Sequence, residues 1–237
     1  MTVQQRIDAY WSGRAPTYDA FQQQREAEAG DREVWSRVWT GALPSTPCDV
    51  LDVGTGSGVV ACLLASLGHR VTGIDHAEGM LATARANAAR EDRPPRILEG
   101  DMVAPDFPDD SFDVVAGRYV MWTLRDPHAA IAAWCRVLRP GGLVAMVDST
   151  WFPRGVVADG DAVQLGMREW YDDHVLAALP VAEASSIDAT ADLMRDAGLR
   201  DVAVVPLDEL LSLDLVRGAA PGHVVRTQYL LTGRSPD

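Results

Sequence analysis

Three carboxylates, each at the end of a short apolar run, carry the clearest chemistry in this 237-residue chain. In VLDVGTGSG (50–58), Asp52 stands two residues before Gly54, and Gly56 and Gly58 follow at alternate positions. Glycine there lets the backbone come close to a ligand and adopt positive φ. The N-terminus of the helix that follows offers unpaired N–H groups to a carboxylate. Asp75 closes RVTGID, a position that suits a bidentate acceptor for two ribose hydroxyls. Asp101 and Met102 follow RILEG, where the acid can accept from an adenine amino group while the thioether lies on the purine face. Three such acids at successive strand ends describe a nucleoside site. Its glycine spacing is G-x-G-x-G rather than the dinucleotide G-x-G-x-x-G, because position 59 is Val.

Composition removes other chemistries. All 21 basic residues are Arg, so a Schiff-base lysine, a Walker-A lysine, a protein-kinase strand lysine and a Tyr-x-x-x-Lys pair are excluded. The 34 acidic residues leave a net charge of −13, which argues against a nucleic-acid partner and favours a neutral or cationic small molecule over a polyanion. Cys48, Cys62 and Cys135 lie far apart without a CxxC pair, as free thiols of a reducing cytosol do. His69, His76, His128, His174 and His223 show no ligand spacing, so no metal is expected. The opening MTVQQRIDAYW has no apolar export segment, and no stretch approaches the ~18 apolar residues of a membrane span. A cytoplasmic monomer or homodimer is expected.

The elements that must position these residues alternate. Residues 2–41 are polar and helical in pattern, with a break expected at Gly13–Pro16, and LPSTP (43–47) ends them. Strands are then expected at 49–53, 70–75, 96–100, 112–117 and 143–148, with helices at 59–67, 77–91 and 128–138. The last of these helices is expected to close at Arg139-Pro140-Gly141-Gly142. Such alternation implies βαβ units and a parallel sheet with right-handed crossovers. The rhythm fails over 149–186, returns with a helix at 189–198, and finishes with strands near 201–206 and 224–232 read as a hairpin joined by a long loop. The expected fold is α/β, a doubly wound, seven-stranded, mostly parallel sheet. Residues 1–45 would form a helical cap, and 46–237 the main domain with a cap insertion at 149–186 after strand five.

The series VLDVGTGSG, GIDHAEGM, EGDM, SFDVVAGRYVMWTL and RVLRPGGLVAMVD resembles the class I S-adenosylmethionine-dependent methyltransferases. Within them it is most similar to the type-11 and ubiquinone/menaquinone-methyltransferase-like group, whose opening segment YWSGRAPTYD also resembles. The resemblance covers about residues 48–148. It implies that Asp52, Gly54, Gly56 and Gly58 surround the methionine moiety of the cofactor and that Asp75 takes the ribose hydroxyls. It further places Met80 near the base, Asp101 and Met102 on the adenine, and the backbone around Arg118 by the methionine amino group. Thr55, His76 and Gly100 lie inside the same motifs and join the cofactor set. Tyr18 matches the tyrosine of the family's A-x-x-Y-D element, which closes over the cofactor.

Methyl transfer from a sulfonium is an in-line displacement, for which the protein aligns the acceptor, excludes water and, for some acceptors, removes a proton. Candidate bases are Tyr10, Tyr18, His174 and His76. Arg14, four residues from both Tyr10 and Tyr18, could pair with the cofactor carboxylate. An aromatic acceptor mouth is expected from Tyr10, Trp11, Tyr119, Trp122, Trp151, Trp170 and Tyr171, with Trp35 and Trp39 packing the N-terminal helices. The expected acceptor is an aromatic or alicyclic secondary metabolite, methylated on carbon, nitrogen or oxygen, an indole compound being one example. The alternatives are a cofactor- or aromatic-binding protein without turnover, a nicotinamide-dependent reductase, and a nucleic-acid methyltransferase. The last would carry a (D/N/S)PP(Y/F) element where this chain reads GRYVMW.

Overall fold

The computed structural model describes residues 1–28, 30–156, 166–219 and 224–236. Seven strands form one sheet in the order β3-β2-β1-β4-β5-β7-β6. They are β1 (Asp49–Val53), β2 (Arg70–Asp75), β3 (Arg96–Glu99), β4 (Phe112–Arg118), β5 (Leu138–Ser149), β6 (Arg200–Pro206) and β7 (Gln228–Arg234). The first five run parallel, and β7 lies antiparallel between β5 and β6. Alternation within the central strands feeds two cores. Val50 and Val114 face one side with α3 (Val59–Ser66), α4 (Glu78–Ala88) and α2 (Asp31–Ala42). Leu51, Val53 and Val115 face the other, against α5 (Pro127–Val137) and α8 (Asp188–Asp196). Strands buried on both faces read as continuous apolar runs, which is why DVLDV and FDVVAG are recognisable.

Three local expectations are corrected. The N-terminal segment does not break: α1 runs unbroken over Val3–Ala27 with Pro16 inside it. A proline removes the hydrogen bond to the carbonyl four residues earlier, here that of Ser12. That carbonyl instead lies against Gly79 of α4, where an added Cβ would come within 2.4 Å of the Ser12 oxygen, and the Gly79 N–H reaches the Ser12 hydroxyl at 3.3 Å. Packing on α4 holds what local propensity would break. Secondly, α5 does end just before Arg139-Pro140-Gly141-Gly142, but the strand expected from 143 already starts at Leu138, with these four residues as an irregular stretch inside it. The register jumps there, from Phe112↔Leu138 to Val114↔Leu143.

Thirdly, β6 and β7 are joined by a helix, α9 (Asp208–Arg217), and β7 begins at Gln228 rather than 224. This helix hides from pattern reading because its inward face carries Asp214 beside Leu210, while Leu215 and Val216 are exposed. Two single-turn helices, α6 (Met167–Trp170) and α7 (Asp173–Leu176), lie in the segment after β5. Their apolar side chains pack with Ile7 and Tyr10 of α1. Among the described residues, no helix is long and apolar enough to cross a membrane.

The Gly79→Ala variant should lose about 1–3 kcal/mol of stability, because backbone rather than a flexible side chain must move to admit the methyl. Urea unfolding measures it, and an unchanged midpoint would show that α1 is not seated by this contact.

Candidate active site

The carboxyl edge of the sheet is a single long cavity wall. Running outward from β3 it presents Gly100, then Asp75, then Gly54 and Gly56, then Arg118 and Tyr119, then Ser149, and finally Gln228. Gln228 joins the series because β7 is antiparallel, so that its first residue pairs with Ser149, the last of β5. In open α/β sheets ligands bind at this edge.

The β3–β1 half has the features of a nucleoside site. Asp75 accepts the Gly56 N–H at 2.8 Å on one oxygen and the Ala77 N–H at 2.9 Å on the other, and the His76 N–H adds a further bond. Burial raises its pKa, and these backbone bonds oppose the rise. Gly54 and Gly56 both hold positive φ, at 62° and 55°. A Cβ on Gly56 would find no atom nearer than 4.0 Å, so its missing side chain leaves space in the cavity rather than room for the protein's own packing. Met80, Ala77, His76 and Met102 complete this half. The shape and donor set fit an adenosyl group.

Several expected contacts are relocated. Asp52 does not line the cavity; it is buried beneath the loop and accepts the Thr55 hydroxyl at 2.6 Å, while the Thr55 N–H bonds the Ile74 carbonyl. Burial pushes the Asp52 carboxyl up to about 7. Gly58 starts α3 against Ala84, also away from the cavity. These residues shape the loop and do not line the cavity. Asp101 turns from the cavity too: one oxygen accepts the Val103 N–H at 2.8 Å, and the other lies 3.8 Å from His76 and 3.7 Å from Arg125. At Arg118 the side chain, not only the backbone, enters the cavity. Its guanidinium sits 4.8 Å from the Trp35 ring centre and 5.0 Å from that of Tyr119, bonds the Tyr18 hydroxyl, and donates to Gln22 at 2.9 Å.

The β4–β7 half holds aromatic walls and a polar roof. Trp11, Tyr119, Trp122 and Trp151 line the cavity as expected residues of the mouth, and Tyr18 lines it from α1. Asp148 pins two of the walls: its carboxylate accepts from the backbone of Met121 at 2.9 Å and of Trp122, and from the Trp151 indole. Burial pushes this carboxyl up to about 6. The remaining aromatics are corrected. Tyr10 and Tyr171 are core, edge to face at 5.2 Å, with the Tyr171 hydroxyl accepting from Trp11. Trp170 is packed at the rim of the same cluster, and His174 is exposed on α7; neither lines the cavity. Arg14 stands over the Tyr10 ring at 5.7 Å, outside the cavity lining. Two single-turn helices supply too few inward positions for every polar and aromatic residue of REWYDDH, so the apolar cluster claims Tyr171 and solvent takes His174. His223, and residues 157–165 of the insertion, lie outside the described residues.

Motif reading missed the roof: Phe21, Gln22 and Arg25 of α1, Asp31 and Trp35 of α2, Asp214 of α9, and Gln228. Trp39, by contrast, is wholly core. Arg25 is held by Asp31 at 2.7 Å and by Asp214 at 2.8 Å, and Arg217 adds a further bond to Asp31 at 2.9 Å. Only the carboxylates and arginines themselves could have signalled this, and in a chain of this charge they are indistinguishable from surface residues. Among the described residues no group of His, Cys, Asp and Glu could hold a metal ion.

Residues 51–146 match the family model for a methyltransferase domain. The chain carries a class I S-adenosylmethionine-dependent methyltransferase domain. A demethylmenaquinone methyltransferase of Thermus thermophilus is 36% identical over 116 residues, 48% of this chain and 53% of that protein. A malonyl-[acyl-carrier protein] O-methyltransferase of Serratia marcescens is 33% identical over 180 residues, covering 76% and 64%. The alignment to the first of these relatives thus spans about half of that protein's length. A phosphoethanolamine N-methyltransferase of Haemonchus contortus, solved with S-adenosyl-L-methionine, shares the fold with a TM-score of 0.61 at 18% identity, covering 84% of this chain and 51% of that one. The matched stretch ends inside β5, and the roof residues lie outside it.

Replacing Asp75 with Ala should weaken S-adenosylmethionine binding by about 1.5–3 kcal/mol in calorimetry, the value of charge-assisted bonds to two hydroxyls. Equal affinity would move the ribose elsewhere. The raised pKa of Asp52 gives a second expectation. A carboxyl with a higher pKa folded than unfolded holds its proton in the native state, so stability is full below about pH 4 and falls as the pH rises through about 7. Asp52→Asn keeps an acceptor for Thr55 and removes the titration. Its melting temperature should therefore decline less than that of the wild type between pH 5 and pH 8.

Proposed function

We propose that this protein methylates a small planar acceptor that carries a hydrogen-bonding group. The observation that carries this reading is one continuous cavity, with a nucleoside-shaped half at β3–β1 and an aromatic, polar-roofed half at β4–β7. When bound, S-adenosylmethionine supplies an electrophilic methyl on a sulfonium, and the acceptor's electron pair displaces the thioether. Asp75, Gly54, Gly56, Met80 and Met102 would hold the adenosyl part, and Tyr18 and Arg118 would stand over the methionine end. Trp35, Tyr119 and Trp151 would wall the acceptor and keep water out. The walls favour a flat molecule, as in the expectation of an aromatic metabolite, but Arg25, Asp31, Asp214 and Gln228 argue against a purely apolar one. The relatives act on acceptors as unlike as a demethylmenaquinone and a malonyl carrier protein, so the family alone does not choose. Burial pushes the thiols of Cys48 and Cys62 up to about 11 and 12, so neither serves as a nucleophile.

The test is transfer of labelled methyl from S-adenosylmethionine to a panel of aromatic amines, phenols and heterocycles. On the acceptor so found, Trp151→Ala should lower kcat/KM at least about tenfold, near 1.4 kcal/mol, through the lost ring and the unpinned Asp148. His174→Ala should leave it unchanged. Cofactor binding without any methylated product would favour a binding protein instead.

A further inference from the structure

The end of β4 holds an unusual backbone. Tyr119 has φ +64°, a left-handed conformation that a bulky side chain rarely takes. Its N–H is fixed by the Val147 carbonyl at 2.7 Å, so the neighbouring strand holds it there. Strain of this kind persists where the surrounding structure imposes it, and it gathers at ligand sites. Here it aims the phenol across the cavity wall to Gln228, the first residue of β7.

The proton on that phenol is directed by a chain of bonds. Arg25 donates to one oxygen of Asp214 at 2.8 Å, and Gln228 donates its amide nitrogen to the other at 2.7 Å. A carboxylate can only accept, so the Gln228 nitrogen is turned toward Asp214 and its oxygen toward Tyr119. The Tyr119 hydroxyl must therefore donate to Gln228. Its hydrogen is committed, and what the oxygen can still offer an occupant of the cavity is a lone pair. Burial raises the pKa of this phenol, so it stays protonated and does not serve as a base.

We propose that Tyr119, oriented through Gln228, Asp214 and Arg25, selects acceptors that donate a hydrogen bond from an N–H or O–H at or beside the atom to be methylated. The inference rests on the methyltransferase reading above and deepens it. Tyr119 accepts that hydrogen bond and aligns the acceptor, and the acceptor's proton is not transferred to it.

Indole and benzofuran test this without knowledge of the natural acceptor, since they match in shape and differ in an N–H against a ring oxygen. Binding of each is measured by ligand-observed NMR titration on protein saturated with S-adenosylhomocysteine. The wild type should hold indole about fivefold more tightly, the scale of one hydrogen bond. Tyr119→Phe should bring the ratio close to one. Gln228→Leu frees the hydroxyl to donate and should shift the preference toward benzofuran, an effect that loss of packing alone would not produce. Equal binding of the two by the wild type, failure of either to bind, or an indole preference that survives Tyr119→Phe overturns the proposal. Failure of the wild type to take up S-adenosylhomocysteine would instead overturn the methyltransferase reading beneath it.

Discussion

The paired bonds from Gly56 and Ala77 to the Asp75 carboxylate tie together three elements that are separate in sequence: the loop after β1, the end of β2 and the start of α4. Nearly every other feature of the donor site leans on that junction. It sets the glycine loop with its backbone facing the cavity, and it places α4 where Gly79 can receive the Ser12 carbonyl. Through that contact α1 is seated over the cavity, with Tyr18 and Trp11 lining it and Ala15 packed near Met80. A carboxylate that already holds backbone donors is also rigid, so what it offers the cavity is pre-oriented, at little further cost in conformational freedom.

Away from this junction, charge is handled by burial in company. Arg25, Asp31, Asp214 and Arg217 form a compact group with every carboxylate paired. Breaking such a group strands a buried charge, whereas keeping it intact fixes geometry. In this chain it joins α1, α2 and α9, the three helices that cover the β4–β7 half of the cavity, and through Gln228 it reaches the sheet edge. Asp148 works on the same principle at the end of β5. Its carboxylate gathers donors from the loop after β4 and from Trp151, so the aromatic walls of the cavity are set by one buried acid.

Much of the architecture was legible because strands buried on both faces are short apolar runs, and because α3 stops just before Gly68. The strands at 49–53 and 70–75 appear at those bounds in the structure, and the sheet is mostly parallel with seven strands. The misreadings share a cause. Pro16 and the acidic α9 look like breaks or loops locally, and both are helical because neighbours hold them so; the Arg-Pro-Gly-Gly stretch is an irregularity that its neighbours keep within β5.

The sequence alone marked the β3–β1 half of the cavity, because its residues sit at strand ends and strand ends are set by local pattern. Asp75, Gly54, Gly56 and Met102 could be named for that reason. The polar part of the β4–β7 half was decided only by tertiary structure. Gln22, Arg25, Asp31, Asp214 and Gln228 come from α1, α2, α9 and β7, and none is marked by a motif, whereas the aromatic walls Trp11, Tyr119, Trp122 and Trp151 could be named as residues. Asp214 and Gln228 become neighbours only when β7 inserts between β5 and β6, and Tyr119 reaches them only through a backbone conformation that strand pairing imposes. Conversely, His174 and Tyr171 carry suitable chemistry in a suitable segment, yet packing sends one to solvent and the other to core. Which face a side chain takes is settled by what its element packs against, and in a segment without periodicity no local signal records that.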